Sequence, residues 1–72
     1  MKTITITTEF IKLQDLLKFA NAVSSGGEAK ERIQAGEAAV NGEPCAMRGK
    51  KLRPGDVVSF GGEEYAVAYA GQ

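Results

Sequence analysis

A chain of 72 residues is long enough for one domain with one small core, and it leaves no room for a second. Hydrophobic residues make up 43% of it, too many for a segment that stays disordered. Nine Lys+Arg balance nine Asp+Glu, histidine is absent, and the single cysteine, Cys45, excludes an internal disulfide and a cysteine-based zinc site.

The pattern in Thr3–Thr8, where Ile4 and Ile6 alternate with threonine, has the period of two expected of a strand with one buried face. This opening is not the apolar run of a signal peptide, and nothing approaches the ~20 apolar residues of a membrane span. A soluble cytoplasmic protein is therefore expected. From Phe10 the period changes. Phe10, Leu13, Leu16, Leu17, Ala20 and Val23 fall on one side at about 100° per residue, with Lys12, Gln14, Asp15 and Lys18 opposite. The spacing predicts an amphipathic helix over residues 10–22. Phe19 lies outside its apolar arc, either at the edge of the core or as an exposed stacking surface.

Ser24-Ser25-Gly26-Gly27 breaks that helix, and Ser25 followed by Glu28 has the spacing of a capping box for the next. The second helix is expected to run to about Ala35 and stop at Gly36 in a left-handed conformation. Ala29 and Ile33 form its apolar stripe, and the small Ala29 permits a close helix crossing. Ala38–Val40 then leads into Asn41-Gly42, a strong hairpin signal, with Glu43–Met47 as the return arm and Pro44 suited only to an edge. Arg53-Pro54-Gly55-Asp56 has proline and glycine where a type II turn needs them. Val57–Phe60, Gly61-Gly62 and Glu64–Tyr69 read as a second hairpin. The expected architecture is α+β, two short helices packed on a small, mainly antiparallel sheet.

Charge is neutral overall but not locally. From Pro44 to Gly55 there are four basic residues, Arg48, Lys50, Lys51 and Arg53, and no acid. The remainder carries five basic and nine acidic groups, a balance of −4. Such segregation favours oriented docking of an anionic partner, and the same run also reads as a solvated loop. Free amides at Ser25–Glu28, with Lys30 one turn on, form a second candidate anion site, unless Glu28 occupies it in an ordinary capped turn. Arg32 is ambiguous, and one placement has it over the core with its stem buried and its head free. Asn41 is turn chemistry or an amide offered to a ligand, while Tyr65 and Tyr69 fit core or edge packing. Catalysis finds no support: histidine is missing, Cys45 reads as a small buried thiol, Glu63-Glu64 as a solvated pair, and GGEAK lacks P-loop spacing.

The ordered pieces KLQDLLKFA, SGGEAKERIQAGEAAVNG and RGKKLRPGDVVSF resemble the RNA-binding domain first defined in small-subunit ribosomal protein S-four, with its alpha-L motif. The likeness covers about residues 9–69 and is nearest to the stand-alone bacterial YaaA/YbcJ-like members. It implies a non-enzymatic module, without cofactor or small-molecule substrate, that binds structured RNA, ribosomal or transfer, and could also touch a ribosomal protein. The implied RNA contacts are Lys12, Leu13 and Gln14 on the first helix and Ser25, Gly26, Gly27 and Lys30 around the second. They continue through Asn41 and Gly42 to Arg48, Lys50, Lys51 and Arg53. The family often has arginine where this chain has Gly26 and aspartate where it has Gln14. The main alternative is a protein-interaction adaptor on a ribosomal or assembly factor. A ubiquitin-like sulfur carrier would need a terminal Gly-Gly where Ala70-Gly71-Gln72 stands, and a small enzyme lacks a catalytic constellation.

Overall fold

The computed structural model describes residues 1–71; Gln72, the last residue of the expected single domain, lies outside them. In chain order the described residues form β1 (Lys2–Ile6), β2 (Ile11–Lys12), α1 (Leu13–Phe19) and α2 (Gly26–Gln34). There follow β3 (Ala38–Val40), β4 (Glu43–Pro44), β5 (Lys51–Leu52), β6 (Val57–Phe60) and β7 (Glu63–Tyr69). The expected α+β class is what forms: two short helices with a mainly antiparallel sheet.

The larger sheet has the order β1-β7-β6-β3-β4. Its outer pair β1–β7 is parallel, and the other pairings are antiparallel. Register brings the inward residues side by side: Ile4 opposite Val67, Val58 between Tyr65 and Val40, and Phe60 opposite Ala38. Since strand side chains alternate between faces, one side of the sheet becomes continuously apolar. Leu13, Leu16 and Leu17 of α1 and Ala29 and Ile33 of α2 are fully buried in the same cluster. Each buried leucine or isoleucine contributes about 1.5–3 kcal/mol against an exposed reference.

Turn chemistry falls largely where the residues put it. Asn41 and Gly42 both have positive φ, +51° and +86°, as a two-residue hairpin turn requires. Gly55 has φ +100°, and the Asp56 N–H closes its turn onto the Arg53 carbonyl at 2.9 Å. Gly36 takes the left-handed conformation, φ +86°, just past α2. Pro44 lies on the edge strand β4, although only Glu43–Pro44 of the expected return arm to Met47 is strand.

The first helix is shorter than its periodicity predicts. Residues 10–12 leave it because Ile11 and Lys12 are extended and pair with β5, which brings Ile11 against the core. At its other end Asn21 adopts φ +59°, a conformation asparagine tolerates, and the Ala22 N–H turns back to the Leu17 carbonyl at 2.9 Å. The helix therefore ends before the Ser-Gly segment that was expected to break it. Phe19 is exposed.

Ser25 caps α2 as expected, its Oγ accepting from the Glu28 N–H at 3.2 Å. The reciprocal half is displaced by one residue. The Glu28 carboxylate accepts from the Ser24 N–H and hydroxyl, both at 2.8 Å. A cap of this kind is worth about 1 kcal/mol.

Candidate nucleic-acid interface

The two-residue ladder between β2 and β5 is small, but it gives the basic run its geometry. Ile11 stands opposite Leu52, and Lys12 opposite Lys51. Leu52 is fully buried and Ile11 packs on the core, so the ladder has a dry face. Alternation puts Lys12 and Lys51 on the other face. Phe10 and Arg53 flank the ladder at its other end. The Lys51 ammonium lies 4.9 Å from the centre of the Phe10 ring, and the Arg53 guanidinium 5.9 Å. Two lysines directly opposite one another are destabilising. Among the described residues no carboxylate forms a salt bridge with Lys12, Arg48, Lys50, Lys51 or Arg53.

Backbone bonds fix the run against α1. The Leu13 N–H donates to the Lys50 carbonyl at 2.9 Å, and the Gln14 N–H to the Arg48 carbonyl at 3.0 Å. These carbonyls satisfy two of the amides that a helix start leaves open. Lys12 occupies the cap position itself, with extended backbone and no capping bond from its side chain. A lysine there serves neither the cap nor the helix dipole. Its exposed ammonium instead joins the cations of β5 and the loop before it.

Asn41 and Asp56 tie the β3–β4 turn to the same region. The Asn41 side chain donates to the Asp56 carboxylate at 3.1 Å and accepts from the Val57 N–H at 2.9 Å. The other Asp56 oxygen accepts from the Arg53 N–H at 2.8 Å. That backbone bond first, then Asn41 and the charges of Lys50 and Arg53, hold the Asp56 carboxyl below its ordinary range. Asn41 is thus chiefly a brace between turns rather than an amide held ready for a ligand. Asn41, Met47, Lys50 and Asp56 line a shallow cleft of about 260 Å³ between these segments.

The start of α2 is organised differently. Ser25 Oγ is engaged as the cap, and the bonds from Ser24 hold the Glu28 carboxyl below its usual range. Gly26 and Gly27 open the helix, with Lys30 exposed one turn along. The Lys18 ammonium, which pairs with Asp15 at 3.4 Å, lies 3.9 Å from where a side chain at Gly26 would begin. Arg32 is not free at its head. It bonds Glu37 at 2.8 Å and Glu28 at 3.4 Å and lies 4.5 Å over the Phe60 ring. Those partners, Glu37 above all, raise its pKa further.

The structure therefore brings Lys12, Arg48, Lys50, Lys51 and Arg53 together around the start of α1, with Asn41 beside Lys50 in the cleft. Gln14 is half-buried at that start, Gly42 is at the exposed hairpin tip, and Ser25, Gly26, Gly27 and Lys30 belong to the separate start of α2. Leu13 does not belong to the site, because its side chain is wholly buried in the core. Cys45 is half-buried rather than enclosed; Tyr65 is in the core, and Tyr69 is exposed at the end of the interior strand β7. Phe10 and Asp56 are the site residues that the helical reading misses. Lys51-Leu52-Arg53 alternates as a strand does, but Phe10-Ile11-Lys12-Leu13 fits a helical stripe as well, so the sequence does not mark the pairing.

Two short helices and a mainly antiparallel sheet, with cations gathered where the first helix meets a short ladder, make a small α+β module. Residues 4–68 match the S4 domain, and the chain belongs to that family. The match takes in β1 as well as the segments whose likeness begins near residue 9. A curated protein of Bacillus subtilis (strain 168), described as a probable ribosome maturation protein RlbA, is 48% identical over 59 residues. The aligned region covers 82% of this chain and 83% of that protein.

Proposed function

We propose that this chain is a single-domain, non-enzymatic RNA-binding module that recognises structured RNA, ribosomal or transfer, in association with the ribosome. The observation that carries the reading is the unpaired cationic face of the β2–β5 ladder. Like charges held opposite one another weaken a ladder, so their presence is better explained by an anion that they bind. The resemblance to a probable ribosome maturation protein supports a ribosomal setting. No helix among the described residues is long and apolar enough to cross a membrane.

Phosphates supply most of the affinity in this mechanism, and shape and groove contacts set orientation. With about four to six cations engaged, log K falls with log salt at a slope of roughly −3 to −5. Anisotropy titrations with purified ribosomal RNA and bulk transfer RNA across a salt series measure that slope. Salt-insensitive binding refutes the mechanism. Capture of a ribosomal protein that survives nuclease treatment, with no RNA affinity, favours the adaptor instead.

A further inference from the structure

We infer that Phe10 is a positioning residue for RNA binding, its ring holding Lys51 and Arg53 in place beside Lys12; this rests on the RNA reading above. Phe10 immediately precedes β2, is half-buried, and lies on the wet side of the ladder. The Lys51 and Arg53 head groups stand 4.9 and 5.9 Å from its ring centre. Neither cation forms a salt bridge among the described residues; the Asp56 carboxylate attracts Arg53 from a greater distance, and the Phe10 ring is the group that lies close to both head groups. The negative face of an aromatic ring attracts a cation without neutralising its charge. A carboxylate at position 10 would hold the same side chains but would also repel phosphate.

The consequence is pre-organisation. Lysine and arginine side chains are long, and ordering each one on binding lowers affinity. Mutual repulsion from Lys12 across the register would otherwise scatter Lys51 away from the site. With the ring present, three cations remain on one face before RNA arrives. The dry side of the ladder, Ile11 and Leu52, anchors this arrangement to the core.

The test combines spectroscopy with a mutant cycle on the full chain. In the unaltered protein, ring currents shift the terminal methylene protons of Lys51 upfield of those of Lys30, and those of Arg53 upfield of those of Arg48; neither reference residue lies over a ring among the described residues. Phe10→Leu, with Phe10→Met as a second apolar replacement, weakens binding of a labelled stem–loop RNA about threefold to tenfold. Phe10→Trp retains it. In a Lys51→Met/Arg53→Met background, assayed at low salt, Phe10→Leu has no further effect, because the residues through which it acts are gone. Equal losses in both backgrounds, or unshifted Lys51 and Arg53 signals, overturn the positioning role while leaving RNA binding intact. Absence of RNA binding by the unaltered protein overturns the functional reading and this role with it.

Discussion

Replacing Lys12 with serine should make the protein more stable and a weaker RNA binder at once. Lys12 sits at the cap of α1 with φ −75° and ψ 148°, the backbone of a capping residue, and makes no capping bond. A serine in that geometry accepts from the N–H of the third helical residue, Asp15, a gain of about 1 kcal/mol. Removal of the charge also relieves repulsion from Lys51 directly across the ladder, a further contribution of roughly 0.2–1 kcal/mol. Together these give about 1–2 kcal/mol, and each kcal/mol raises Tm by about 4–8 °C in a domain this small. For binding, the loss of one phosphate contact makes the salt slope shallower by about 0.7–0.9, and affinity at 0.1 M salt falls roughly fivefold to eightfold. Thermal unfolding followed by circular dichroism gives the first quantity, and anisotropy titration across a salt series gives the second. Lys2→Ser, at the far edge strand β1, is the control and leaves the slope unchanged. A Lys12→Ser protein that melts lower, or whose slope equals the unaltered protein's, refutes the argument that this lysine is kept for its charge at the expense of the cap.

Gly26→Arg places a guanidinium beside Lys18, where the nearest atom to the new Cβ is 3.9 Å away, so the backbone accepts it. The variant should fold normally and steepen the salt slope by about 0.7–0.9; an unchanged slope removes the start of α2 from the interface. Leu52→Ala should lower stability by about 2–5 kcal/mol in denaturant unfolding, since Leu52 is fully buried and anchors β5. A cost below ~1 kcal/mol would show that the ladder is not secured by this contact. The Asp56 carboxyl lies below its ordinary value near 3.8, held there first by the Arg53 N–H. A carboxyl depressed by folding contributes stability that is complete above its unfolded pKa and is lost as pH falls through the lower folded value. Stability should therefore decline from about pH 4 downward, and Asp56→Asn should flatten that part of the curve. An identical acid limb in denaturant unfolding of the variant would assign the loss to other carboxylates.

How far the chain could be read depended on the range of the interactions concerned. Ile4 and Ile6, the Ser25–Glu28 spacing, Gly36 and Asn41-Gly42 act through their immediate neighbours, and each took the conformation that its local chemistry favours. The start of α1 was misread because Phe10 fits a helical stripe equally well. What decides its conformation is a partner strand some forty residues away, Lys51-Leu52, which no local pattern reveals. Arg32 was misjudged for a related reason: Glu28 is visible one turn back, but Glu37 reaches the guanidinium only after the chain has turned at Gly36.

The sequence by itself determined the α+β class, most of the turns, the cap and stop of α2 and the presence of a basic run without acids, because these follow from periodicity, backbone preference and composition. Leu13 lay on the apolar stripe of the sequence, and its burial bears out that pattern rather than its place among the contacts the resemblance implies. Tertiary structure alone decided that Asn41 is a brace and that the run folds against the start of α1. It also set Lys12 opposite Lys51 and both cations of β5 and its turn over Phe10. Those outcomes depend on the burial of Ile11 and Leu52 between distant segments, and burial is a property of the whole packed chain.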